Sequence, residues 1–180
     1  MRRCNNFFYS ALTVLAVLCC VLSANRASAQ TVALRTNALL WGCEAANISI
    51  DLTANECSTI GVTGVFSMSD SWLHDTHVNG LQLEYRYWFS HQPFHSMFVG
   101  PVAGLLHYTV DDDAHTQLAV PAGLQAGYAW TLSRHWNIEA LYGVGYMYYE
   151  RAYEAADKVR VHHRHKFTTI NLGLNVSYIF

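Results

Sequence analysis

Residues 170–180 alternate almost without error: Ile170, Leu172, Leu174, Val176, Tyr178 and Phe180 are interleaved with Asn171, Gly173, Asn175, Ser177 and Ile179. Successive side chains of a strand point to opposite faces, so this pattern offers one face to an apolar medium and the other to a polar one. A terminal strand that ends on an aromatic residue fits an outer-membrane β-barrel, in which the apolar face meets lipid while Gly, Asn and Ser face a lumen. Tyr178 and Phe180 then stand where the membrane-insertion signal of such a barrel is expected.

Of seven earlier strand candidates, six carry the same period. Residues 31–41 set Val32, Leu34, Thr36, Ala38 and Leu40 against Ala33, Arg35 and Asn37, and residues 47–52 set Ile48, Ile50 and Leu52 against Asn47, Ser49 and Asp51. Residues 58–67 place Ile60, Val62 and Phe66 on one face, and residues 80–89 turn Leu81, Leu83, Tyr85, Tyr87 and Phe89 outward over Gln82, Glu84, Arg86 and Trp88. Residues 95–110 are apolar on both faces and hold Pro101, so their faces stay unassigned. Residues 117–132 put Leu118, Val120, Leu124, Tyr128 and Trp130 over Gly123, Gln125 and Gly127, and residues 137–149 put Ile138, Tyr142, Val144, Tyr146 and Tyr148 over Glu139, Gly143 and Gly145. With residues 167–180 the pattern predicts an all-β fold, an eight-stranded antiparallel up-and-down transmembrane barrel. Short turns at 53–57, 91–94 and 133–136 would face the periplasm, and longer, more charged loops at 70–79, 111–116 and 151–166 the outside. The first outer connection, 42–46, is short for its place. Tyr87, Phe89, Trp130, Trp136, Tyr178 and Phe180 gather near one rim as an interfacial girdle.

The first residues change the picture of where this barrel is sent. Arg2 and Arg3, an apolar run from Phe7 to Leu22 and Ala27-Ser28-Ala29 read as a cleaved secretory signal over residues 1–29, leaving the barrel as residues 30–180. Cys19 and Cys20 lie late in the apolar run without the small preceding residue of a lipoprotein signal. No later segment offers the roughly 18 apolar residues of a membrane helix, so a crossing must be made by strands.

Three of the 11 Lys and Arg leave with the signal and none of the 13 Asp and Glu, so the remaining chain carries 8 cations against 13 acids. That acidic balance gives no support to nucleic-acid binding. Only Lys158 and Lys166 remain as lysines, whereas the solvated face of a soluble barrel usually mixes Lys and Glu. Cys43 and Cys57 stand at opposite ends of the second strand, more than about 20 Å apart, beyond the roughly 7 Å that a disulfide spans.

The segments 34–41 (Leu-Arg-Thr-Asn-Ala-Leu-Leu-Trp), 83–89 (Leu-Glu-Tyr-Arg-Tyr-Trp-Phe) and 134–140 (Arg-His-Trp-Asn-Ile-Glu-Ala) resemble those of a Bacteroidetes family of small, OmpA/OmpX-like outer-membrane barrels of unknown function. The fifth strand departs from that family, with Val99, Pro101 and Leu105 in place of His and Gly. The resemblance implies a transmembrane barrel and, because relatives are often encoded beside fimbrial assembly genes, a link to surface appendages.

Three constellations could carry chemistry. Arg35, Asp51, Glu84, Arg86 and Glu139 fall on inward faces, and a barrel of eight strands is just wide enough for side chains to fill it, so they are expected to form an ion-pair plug, with a narrow pore as the alternative. Asp111, Asp112, Asp113, His162, His163 and His165 lie in two outer segments that could hold a divalent metal or contact lipopolysaccharide phosphates, although no ligand spacing fixes a geometry. A lipid-modifying enzyme needs His, Ser and a carboxylate together near the outer leaflet; His95-Ser96 falls at the periplasmic end and His115-Thr116 lacks an orienting partner. The expectation is a non-catalytic, monomeric barrel without cofactors. Its partners would be outer-membrane lipid and lipopolysaccharide, the barrel-assembly machinery and a surface or fimbrial protein.

Overall fold

A computed structural model describes residues 31–67, 76–110, 117–155 and 158–180. Eight strands run in chain order: β1 Val32–Asn37, β2 Ala45–Asn55, β3 Ser58–Ser67, β4 Thr76–Trp88, β5 Ser96–Val110, β6 Gln117–Thr131, β7 Trp136–Ala155 and β8 Lys158–Ile179. Each pairs antiparallel with the next, and β8 returns to β1 through Ala33 with Ile179 to Asn37 with Asn175, closing the barrel. Closure matters because a lipid-facing wall has no water to satisfy a free strand edge.

The alternation read from the chain sorts as expected. Ala33, Arg35 and Asn37 of β1, Asn47, Ser49 and Asp51 of β2, and Glu84, Arg86 and Trp88 of β4 are buried inside. Leu34, Ile48, Ile60, Val62, Leu81, Leu83, Leu124, Leu172 and Leu174 are exposed on the outer surface. The girdle assembles too: Tyr87 with Phe89 at 5.6 Å, Tyr128 with Trp130 at 4.8 Å, and Trp136 with Tyr178 at 5.1 Å between ring centroids at the end where β1 begins and β8 finishes. At the other end Tyr146 stacks edge-on against Phe167 at 5.3 Å. Two aromatic levels with aliphatic residues between them are the outline of a bilayer.

The faces of β5 are now assigned. Phe98, Gly100, Val102 and Gly104 are buried, and Met97, Pro101, Ala103 and Leu105 are exposed. Pairing with β4 breaks between Glu84–Val102 and Tyr87–Val99, opposite Gly100 and Pro101. Proline has no amide to give there, and a Cβ on Gly100 would overlap the Tyr85 carbonyl, so only glycine allows this approach.

Besides β2, which spans Ala45–Asn55 rather than residues 47–52, and β4, which begins at Thr76 inside the loop expected at 70–79, the sequence pattern misplaced three features. The first strand does not run to residue 41: it stops at Asn37, and Ala38–Gly42 forms a single helical turn, α1. The Asn37 side chain accepts from Leu39 N at 3.0 Å, and a side chain that caps its own backbone favours a helix start over continued extension. The second is residues 151–166, expected as a loop. Here β7 and β8 pair as far as Ala155 with Lys158, because Val159 and Val161 alternate with the charges and charge alone does not stop a strand. The third is Ile170, which sits at a bulge where Gly143 pairs with Asn171 and Val144 with Thr169. A Cβ on Gly123 would touch Ile170 Cδ1 at 2.8 Å, so Ile170 leans to the lumen side rather than to lipid.

Cys43, exposed beside α1, and Cys57, in the β2–β3 turn, are free thiols at opposite ends of β2. A membrane-impermeant maleimide on intact cells is expected to label Cys43, with Cys57 modified only after the outer membrane is opened. Labelling of Cys57 alone would invert the topology.

Candidate functional site

The lumen holds its charges in one connected cluster. Arg35 on β1 donates from Nε to Asp51 Oδ2 on β2 at 2.8 Å and from Nη2 to Glu84 Oε1 on β4. Arg86, also on β4, donates Nε and Nη2 to Glu84 Oε2 at 3.0 and 2.9 Å and Nη1 to Glu139 Oε2 on β7 at 3.0 Å. Glu84 is the hub, because its Oε2 also accepts from Gln125 Nε2 on β6 at 2.6 Å. The space for this cluster comes from Gly61 on β3, which lies in register between Asp51 and Glu84, where a Cβ would overlap Asp51 Oδ1.

Toward the end where β1 begins and β8 finishes, the periplasmic end in the orientation expected from the sequence, the cluster rests on an apolar floor. Trp88, Phe94 and Phe98 are almost fully buried, with Trp88 4.8 Å from Phe98 and 5.9 Å from Phe94 between centroids. The Arg86 guanidinium stands 4.6 Å over the Phe98 ring, a cation–π contact that joins the floor to the ion pairs. Trp88 Nε1 donates to Thr59 Oγ1 at 3.1 Å. Phe94 reaches the floor from the β4–β5 turn at φ 65°, and Asn137 Nδ2 donates to its carbonyl.

Toward the outer end the lining turns to neutral amides and hydroxyls. Asn171 Nδ2 donates to Gln125 Oε1 at 2.7 Å, Ser49 Oγ meets Thr63 Oγ1 at 2.7 Å, and Asn47 Nδ2 donates to the Asn37 carbonyl at 3.0 Å. The interior is therefore layered, aromatic below, charged in the middle and amidic above.

Arg35, Asp51, Glu84, Arg86 and Glu139 thus meet in one place, from strands up to 104 positions apart as between Arg35 and Glu139. Gln125, an inward residue of the β6 alternation, is a further partner of the cluster, and Phe94, which the sequence places in a turn, is part of its floor. The alternation flags the first; nothing local flags the second, because the turn folds back inward.

The outer residues behave differently. Asp111, Asp112 and Asp113 lie outside the described residues, as does His115. His162, His163 and His165 stand on β8 rather than in a loop, at register positions opposite Arg151, Glu150 and Tyr148. Among the described residues no group of three His, Cys, Asp or Glu is placed to hold a metal ion. A histidine–hydroxyl pair does occur, His95 Nδ1 with Thr131 Oγ1 at 2.9 Å, at the periplasmic end. Tyr178 and Phe180 sit on the lower girdle, with Phe180 N donating to the Val32 carbonyl at 2.9 Å.

A family model described as a protein of unknown function (DUF3575) matches residues 13–180. The chain belongs to that family. The crystal structure of the N-terminal β-barrel domain of Pseudomonas aeruginosa OprF is similar at 13% identity, covering 83% of this chain and 97% of that one, with a TM-score of 0.41. No curated protein matches the sequence. For this DUF3575 member, a closed strand cylinder, aliphatic outside between two aromatic levels and polar inside, is the architecture of a transmembrane outer-membrane barrel.

Proposed function

We propose that this protein is a monomeric, closed outer-membrane barrel with a plugged lumen, whose role is structural or surface-interacting rather than catalytic. One observation carries the reading: the only charged side chains buried in the waist among the described residues are Arg35, Asp51, Glu84, Arg86 and Glu139, all bound to one another across the lumen axis. Charges spent on mutual pairing are not arrayed along a water path, and the Trp88, Phe94 and Phe98 floor lies across the same axis. The work of the protein then falls to its outer end. The basic residues 158–166 of β8 and, by sequence, the acidic run 111–113 are the segments proposed to meet lipopolysaccharide phosphates, a divalent metal or a surface partner. The resemblance to the Bacteroidetes barrels, whose genes often lie beside fimbrial assembly genes, supports a fimbrial or other appendage protein as that partner. Tyr178 and Phe180 would present the chain to the barrel-assembly machinery, after a signal over residues 1–29 is removed.

The expected behaviour is an outer-membrane band that migrates faster before boiling than after it, an N-terminus at Gln30, and no steady ion conductance in a planar bilayer. A soluble band without a heat shift would remove the barrel. Steady single-channel steps from a heat-shifted sample would replace the plug with a pore.

A further inference from the structure

We propose that the free edge of β8 beyond the membrane is a strand-addition site for an extended, acidic polypeptide segment. This deepens the surface-partner reading and rests on it. The wall of the barrel is uneven at one seam: β1 spans only Val32–Asn37, while its neighbour β8 spans Lys158–Ile179. Their pairing ends at Asn37 with Asn175. The Asn37 side chain carries the contact one step further, accepting from Leu174 N at 3.3 Å and donating to the Leu172 carbonyl at 2.9 Å. Beyond that point, among the described residues, β8 has β7 on one side and no strand on the other, and α1 is the element beside its base.

The outer aromatic level at Tyr146 and Phe167 divides this edge. Residues 158–166 stand outside it, a row of about 30 Å at roughly 3.3 Å per residue. A free row of N–H and C=O groups is a template for another strand, the geometry by which extended peptides add to sheets.

Charge decides the occupant. Residues 158–166 read Lys-Val-Arg-Val-His-His-Arg-His-Lys, with four Lys or Arg, three His and no acid. Two copies of this chain laid edge to edge along these residues would set cation against cation, which keeps like edges apart. An acidic segment would pair the backbone and the charge together. Of the acids nearest in sequence, Asp157 lies outside the described residues, while Glu150 and Glu154 do not fill that place, because they lie on β7, on the other side of β8, at register positions opposite His163 and Val159.

The test uses the full barrel folded in detergent, with a ten-residue peptide alternating Glu and Val as the probe. A second peptide of the same sequence is N-methylated on alternate amides, which keeps every charge and removes main-chain donors. The expected result is binding of the first peptide, weakened by at least about tenfold for the methylated one. Arg164→Glu with Lys166→Glu, both exposed and outside the aromatic level, is expected to weaken the first peptide by about tenfold as well. Equal binding of the two peptides would overturn strand addition and leave only a charged face. Binding of neither, on a sample that still shows the heat shift, would overturn the site while sparing the barrel; loss of the heat shift in the unsubstituted protein would overturn the barrel and the site with it.

Discussion

Arg86→Leu is expected to lower the unfolding free energy of the barrel by about 3–5 kcal/mol, because it breaks a buried ion-pair network from one side. Arg86 is fully buried and spends three donors on two carboxylates: Nε and Nη2 on Glu84, and Nη1 on Glu139. Without it Glu84 still receives Arg35 and Gln125, but Glu139 is left with Asn175 Nδ2 at 3.4 Å and a second oxygen, Oε1, that has no protein partner among the described residues. The cluster already holds three carboxylates to two guanidiniums, so the loss leaves three against one. Adding Glu139→Gln to Arg86→Leu is expected to recover part of the loss by removing one of the stranded charges. The measurement is a urea titration scored by the unheated, folded band. A single variant with the parent midpoint would mean that the guanidinium does not support the fold.

Trp88→Ala is expected to cost about 3–5 kcal/mol, the range for removing a buried large aromatic side chain. The indole is fully buried, touches both Phe94 and Phe98, and gives its N–H to Thr59, so truncation leaves a cavity and an unpaired hydroxyl in the periplasmic floor. Trp136 is the control: of the same residue type, on the same girdle level, it is 49% exposed toward lipid, and Trp136→Ala is expected to cost much less. Equal losses from the two variants would show that the floor is not packed as described. The same Trp88→Ala sample in a planar bilayer tests whether the floor contributes to closure; flickering current absent from the parent is the expected change.

The inward set was legible because period two is a local property. Arg35, Asp51, Glu84 and Glu139 each announce their face through apolar neighbours one position away, and a lumen without water to spare forces charges of opposite sign together. The failures have two causes. At Asn37 the side chain chose its own backbone and ended the strand; at Ile170 an extra residue in β8 shifted the alternation; at residues 151–166 two valines extended a hairpin through a charged run. The first is a local cap that competes with extension, and the other two depend on which strand lies alongside, which no single strand reports.

By itself the chain determined the class of object: eight amphipathic strands, an apolar outside, a polar inside and an aromatic end to the last strand, all consequences of side chains alternating across a pleat. Tertiary structure alone decided how the interior is wired and where a strand edge is left free beyond the outer aromatic level. Glu84 became the hub because β1, β4, β6 and β7 bring Arg35, Arg86, Gln125 and Glu139 within hydrogen-bond reach of one another across a narrow lumen. Phe94 became part of the floor because a turn folded inward. The edge of β8 stayed free because β1 is short, a property of the pair of strands rather than of either one.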